Sequence, residues 1–190
     1  MRVFVALDLP PETMEVIQTW RGDTVRSVPG AGELRWTRPS SCHLTLRYFG
    51  DITAGTVERV SGILAEWKPG RLPFSLTVSG TFTRMGEPSI YWLGGDFPDE
   101  VTRLAGLLGR IPDQRDRLAK DEFVAHITVA RPGRTAGPRE LPPPPIIDGI
   151  LDTISIYDSR LTSEGPVYST MEKFDITREH RVANGNSNGR

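Results

Sequence analysis

Apolar and polar residues alternate along Arg2-Val3-Phe4-Val5-Ala6-Leu7-Asp8, in a run rich in β-branched and aromatic types, which predicts a first strand. Pro10-Pro11-Glu12 then opens a helix, with Met14, Val16, Ile17 and Trp20 recurring at helical spacing until about Val28, before Pro29-Gly30. A short strand is expected from Leu34 to Thr37, and a longer one from Cys42 to Phe49, entered after Pro39 and closed by Gly50-Asp51. Thr53 caps a second helix whose stripe is Val57, Val60, Ile63, Leu64 and Trp67, stopped by Lys68-Pro69-Gly70. Strands from Phe74 to Phe82 and from Ile90 to Leu93 flank the turn-rich segment Arg84 to Pro88. A third helix starts at Phe97-Pro98-Asp99-Glu100 and runs to about Arg110, with Val101, Leu104, Leu107 and Leu108 inward.

Beyond it, Asp113 to Lys120 is a charged, partly helical connector to a strand within Asp121 to Pro132. Residues 133–145, with four consecutive prolines, lack periodicity and are expected as a surface loop near a cleft, mobile or extended. Two closing strands follow, Ile146 to Asp158 and Val167 to Ile176, and the tail from Arg178 on is expected to be disordered. Strands separated by three helices, with no glycine-rich loop after the first strand, give an α+β fold rather than a doubly wound sheet.

Two stretches share one pattern. His43-Leu44-Thr45-Leu46 and His126-Ile127-Thr128-Val129 both read histidine, aliphatic, threonine, aliphatic, and they hold two of the three histidines in the chain. Their positions in opposite halves suggest two similar halves of the fold. Side chains alternate along a strand, so His43, Thr45, Arg47 and Phe49 share one face while Leu44, Leu46 and Tyr48 share the other. The histidine and threonine of one unit lie about 7 Å apart at Cα, so their tips can converge on one small group.

Two histidines facing each other across a cleft can serve as acid and base, because an imidazole near pKa 6.5 does either job at neutral pH. A threonine hydroxyl beside each can donate to a nonbridging oxygen. Such a site suits a tetrahedral anion, and a 2′,3′-cyclic phosphate fits: ring opening needs one group to deprotonate water and another to protonate the leaving sugar oxygen. Donors and arginine can carry the charge without a metal. One such unit alone is an ordinary strand segment; the pair is not. A two-histidine zinc site is the nearest rival, although the chain has no His-Glu-x-x-His and no cysteine cluster. A protein that binds RNA ends without turning them over is the rival from another class. His180 has no partner pattern.

Composition narrows the setting. A chain of 190 residues, 37% apolar and 25% charged, can bury a substantial core. A net charge of −1 argues against coating long nucleic acid but not against gripping one RNA end. The single cysteine, Cys42, excludes an internal disulfide and lies on the face opposite His43. The chain contains no long apolar span, and its N-terminus meets an acid and prolines too early for a signal peptide, so a cytoplasmic, monomeric protein with no membrane partner is expected.

The paired His-x-Thr-x units, with Arg35-Trp36-Thr37-Arg38-Pro39 before the first and Ala130-Arg131 after the second, closely resemble the 2H phosphoesterases. The nearest branch is the RNA 2′,3′-cyclic phosphodiesterases, also called 2′-5′ RNA ligase-like proteins. The resemblance covers Arg2 to about Thr177. It implies one domain of two pseudo-symmetric lobes, each an antiparallel sheet backed by helices, enclosing a central cleft. It further implies His43 as general acid, His126 as general base, Thr45 and Thr128 on the phosphate, and Arg131 as the family arginine, with no cofactor. Strand parity places Arg131 opposite His126 unless the strand bends. Arg47 stands where relatives often carry lysine, which keeps a charge available for phosphate. Phe4, Trp36 and Tyr48 are candidates for stacking on a base. The implied partner is RNA with a 2′,3′-cyclic phosphate end, or a small nucleotide cyclic phosphate; ADP-ribose 1″,2″-cyclic phosphate and 2′,5′-linked oligonucleotides are the alternative substrates.

Overall fold

In the computed structural model, residues 1–112, 123–135, 137–162 and 165–177 are described. The connector Asp113 to Lys120, the tail from Arg178 and His180 lie outside them. Nine strands form one sheet in the order β7-β4-β5-β6-β3-β1-β8-β9, with the short β2 added alongside β6. The strands are β1 (Arg2–Asp8), β2 (Arg35–Trp36), β3 (His43–Asp51), β4 (Leu72–Arg84), β5 (Glu87–Asp96), β6 (Ile127–Arg131), β7 (Ile147–Leu151), β8 (Thr153–Thr162) and β9 (Gly165–Asp175). Every pairing is antiparallel. Four strands stand on each side of the β3–β6 junction, and a half-turn about that junction carries β3-β1-β8-β9 onto β6-β5-β4-β7. This is the two-lobed α+β arrangement expected from the doubled motif.

The junction itself is one residue pair, Leu44 across from Ile127, both fully buried. Helices strengthen it from behind: α3 (Asp99–Gly109), which follows β5 of one half, packs against β3 of the other. Likewise α1 (Pro11–Ser27), which follows β1, reaches β7, while α2 (Ala54–Glu66) lies by β9. Two of the helices thus back the opposite lobe rather than their own, which ties the halves together by apolar burial where backbone bonding is thin.

Local chemistry sets the ends of these helices. Thr53 caps α2 through its side-chain oxygen, which accepts from the Thr56 amide at 3.2 Å, and Pro11 occupies the first turn of α1. Two residues expected inside are not: Val16 and Leu107 are exposed, and Thr13 and Ala105 take the inward positions.

Larger differences arise from pairing. The strand expected from Ile146 to Asp158 breaks at Asp152, because β7 bonds to β4 in one half and β8 bonds to β1 in the other. The described residues of 133–145 are irregular, as expected, yet they lie away from the cleft. Their described part packs on the opposite face of β4 and β5, where Ser79 Oγ donates to the Leu141 carbonyl at 2.6 Å, Thr81 Oγ1 to that of Arg139 at 3.2 Å, and Tyr91 to that of Pro138. Leu141 is buried in the core there, so the segment is a packed cover rather than a loose loop. No helix among the described residues is long and apolar enough to cross a membrane.

Candidate active site

The Leu44–Ile127 pair fixes how the two motif units face each other. Antiparallel continuation of that register sets His43 across from Thr128 and Thr45 across from His126. Each histidine therefore meets the threonine of the other unit, and the two histidines stand on a diagonal of roughly 7–8 Å at Cα. They are close enough that a charge on His126 disfavours a charge on His43.

Directly after each unit the strand carries a bulge. Thr45 pairs with Ala6 but Arg47 with Val5, leaving Leu46 as the extra residue; Thr128 pairs with Trp92 but Ala130 with Tyr91, leaving Val129 extra. A bulge shifts the alternation by one residue, so every side chain beyond it changes face. This settles the parity of Arg131, which returns to the cleft side and lines the same cavity as His43, Thr45 and Thr128. It also corrects two expectations in β3. Phe49 goes to the core, fully buried, and Arg47 goes with it, its guanidinium carbon 5.9 Å from the Phe49 ring centroid. Tyr48 instead lies across from Phe4, so in the first half the position matching Arg131 is Tyr48, not Arg47.

The cavity at the junction measures about 250 Å³. Arg35, Arg38, Ser41 and Tyr168 line it together with the motif residues, whereas Arg47 and Tyr48 do not. His126 stands outside that lining, edge-on to Phe82 at 4.9 Å and near Trp92 at 6.4 Å between ring centroids. The Trp92 indole can lie there because Gly80 and Gly94 have no side chains; a Cβ on Gly80 would come within 2.2 Å of the ring. His43 is stacked on Phe4 at 4.9 Å, with Tyr157 behind at 5.8 Å and Tyr168 edge-on at 5.5 Å. Phe4 is buried behind the imidazole, which makes it a wall for His43 rather than a surface for a base. Trp36, across from Ala130, is half-buried and lines the cavity; its Nε1 donates to the Ala31 carbonyl at 2.9 Å and its ring meets Trp20 edge-on.

These surroundings determine the protonation of both imidazoles. Burial pushes His43 down to about 4, against a smaller upward pull from its hydrogen bond to the Ser41 backbone. Burial also lowers His126, opposed by its bond to Val124 and reinforced by the positive charge of Arg131. The His126 Nδ1 lies 2.7 Å from the Val124 carbonyl oxygen. A carbonyl only accepts, so in the neutral ring Nδ1 carries the hydrogen and Nε2 keeps its lone pair. Both imidazoles bond the backbone two residues earlier, another feature shared by the two halves. Cys42 is buried and its thiol is pushed up to about 11, which leaves it unreactive.

Tyr157, Tyr168 and Asp8 are parts of the site that sequence reasoning missed. Asp8 lies across from His43 and accepts hydrogen bonds from Ser155 at 2.8 Å and Tyr157 at 2.6 Å, with Lys173 at 3.6 Å. That carboxylate fixes the Tyr157 ring in the stack behind His43. Alternation along β8 put Ser155 and Tyr157 on one face, but only the pairing with β1 shows that this face is the cleft. A larger groove, about 1150 Å³, runs along Pro10, Phe74, Phe97 and Asp148; it contains none of the motif residues. Among the described residues no cluster of three or more His, Cys, Asp or Glu side chains is arranged to hold a metal ion.

The two-lobed antiparallel sheet with its paired His-x-Thr units is similar to the fold of LigT-like phosphoesterases. The family model of LigT-like phosphoesterases matches residues 7–84. The chain is 26% identical over 188 residues to the RNA 2′,3′-cyclic phosphodiesterase of Methanothermobacter thermautotrophicus, covering 93% of this chain and 99% of that one. The enzyme of the same name from Thermotoga maritima is 28% identical over 177 residues, covering 90% of this chain and 93% of its own. Escherichia coli LigT in its apo form superimposes with a TM-score of 0.74 at 25% identity, over 93% of this chain and 98% of that one. Its complex with 3′-AMP gives 0.72 at the same identity and coverage.

Proposed function

We propose that this protein hydrolyses the 2′,3′-cyclic phosphate at an RNA end to a 2′-phosphate, using the two histidines as acid and base. The observation that carries the reading is the crossed arrangement of the two motif units, each histidine facing the other unit's threonine. The names of the relatives agree with it. Thr45 and Thr128 donate to the nonbridging phosphate oxygens, and Arg131 offsets their charge. His126, with its bare Nε2, takes a proton from water as the oxygen attacks phosphorus. The P–O3′ bond breaks on the far side, and His43 gives a proton to O3′. One water is consumed, a free 3′-hydroxyl and a 2′-phosphomonoester are formed, and solvent restores both rings.

Burial holds the His43 pKa near 4, so its imidazole is neutral at pH 7. The anionic substrate supplies the missing counter-charge, so the acid is charged only when there is something to protonate. With a 5′-hydroxyl in place of water, the same steps join it to the cyclic phosphate through a 2′-5′ bond, the two histidines keeping their roles.

The test is incubation with a short RNA ending in a 2′,3′-cyclic phosphate, in excess EDTA, with the product identified by mass and by phosphatase sensitivity. A 2′-phosphate formed by the wild type and lost in both His43→Ala and His126→Ala is the expected result. Activity only after a divalent ion is restored would overturn the mechanism in favour of a metal site. Tight binding without turnover in either buffer would place the protein among RNA-end binders.

A further inference from the structure

We propose that Asp8 and Tyr157 form a positioning pair for His43, and that this pair makes His43 rather than His126 the group that gives up a proton. Neither residue touches the substrate; both act through the imidazole. This rests on the reading above and specifies what divides the labour between the two histidines.

The first observation is a break in the symmetry of the halves. Asp8 of β1 lies across from His43, whereas the Leu93–Ile127 register sets Gly94 of β5 across from His126. Direct cross-strand partners share a face, with Cβ atoms about 4.5–5.5 Å apart. His43 therefore has a carboxylate at the position where His126 meets a residue without a side chain.

The second is the stack. Phe4, Tyr157 and His43 are nearly parallel, with interplanar angles of 16° between Phe4 and Tyr157, 28° between Phe4 and His43, and 24° between His43 and Tyr157. The Tyr157 ring centroid is 5.8 Å from that of His43, inside the distance of about 6 Å at which an aromatic face attracts a cation. Phe82 and Trp92 instead meet His126 at 89° and 62°, so neither is stacked on it.

The third is the hydroxyl. A phenylalanine would fill the same stack, yet Tyr157 O–H donates to Asp8 Oδ1 at 2.6 Å, the length of a charge-assisted bond. Ser155 donates to the other carboxylate oxygen at 2.8 Å and Lys173 lies 3.6 Å from it, so the acceptor is held in place. Burial and the Asp8 carboxylate push the phenol's pKa upward; Tyr157 keeps its proton and acts through its ring. A phenol that donates to a carboxylate carries more electron density in that ring, which strengthens its attraction for an imidazolium. Burial opposes a charge on His43, and the pair offsets part of that opposition while the incoming phosphate supplies the rest.

The experiment compares a nucleoside 2′,3′-cyclic phosphate with its analogue carrying sulfur in place of the bridging O3′. In the first, the P–O3′ bond breaks and O3′ takes a proton from His43. In the second, the P–S bond breaks and sulfur leaves as a thiolate, which needs no proton donor because thiols ionise at about pH 8.5. On the oxygen substrate, Tyr157→Phe and Asp8→Asn should each lower kcat about tenfold with KM within about twofold of wild type. On the sulfur substrate both variants should stay within about twofold of wild type, and His43→Ala but not His126→Ala should be rescued. The ratio of the two rates in one preparation cancels any change in the amount of folded enzyme. Equal losses on the two substrates, or no loss on either, would overturn the pair's role while leaving the proposed reaction standing. Rescue of His126→Ala in place of His43→Ala would overturn the assignment of the proton donor. No turnover of the oxygen substrate by wild type would refute the reaction and the pair's role with it.

Discussion

His43 should make folding stability depend on pH in a way that a substitution can isolate. Its ordinary value is 6.5 and burial lowers it to about 4 in the folded protein. Between those values the unfolded chain binds a proton that the folded chain refuses, so stability falls as pH drops through 6.5 and goes on falling to about 4. The linkage relation for this single group gives a loss of about 2 kcal/mol between pH 7 and about pH 4.5. His43→Asn removes the titrating group, and with it the ring stacked on Phe4, so the variant is less stable at every pH. The diagnostic quantity is the difference in slope. Urea unfolding followed by tryptophan fluorescence at both pH values should show the wild type losing about 2 kcal/mol more than the variant. Carboxylate titrations act on both proteins and cancel. Parallel losses, within about 0.5 kcal/mol, would refute the claim that burial holds this imidazole neutral.

Inorganic phosphate should enter the same cleft and raise the His43 pKa by at least about one unit, read from the imidazole carbon resonances as pH is varied. A shift confined to His126 would reverse the acid and base assignments. Gly80→Ala places a methyl against the Trp92 indole beside His126. It should cost about 1–3 kcal/mol in stability and lower turnover through the displaced ring; unchanged melting and activity would show that the ring has room to move.

Local sequence determined the parts of this protein that depend on neighbours along the chain. The Thr53 cap, the proline-opened first helix and the doubled His-x-Thr-x unit were all legible, because capping, φ restriction and strand alternation act over a few residues. Two similar halves lining one cleft were implied by the repetition and by family resemblance, but the crossed facing of the two units comes from the Leu44–Ile127 register.

What only the tertiary structure decided lies beyond the reach of alternation. A bulge needs a partner strand to be defined, so the extra residues Leu46 and Val129 could not be counted from one strand alone. Those two residues put Arg131 in the cleft and send Arg47 and Phe49 to the core. The aromatic walls of Tyr157 and Tyr168 around His43, the Asp8 carboxylate behind them, and the facing of Arg35 with Arg131 all come from pairings between distant segments. Burial by those segments, not the residue type, sets the charge state of each histidine. The sequence therefore names the groups proposed to do the chemistry, and the closing of long loops into one sheet decides their directions and their protons.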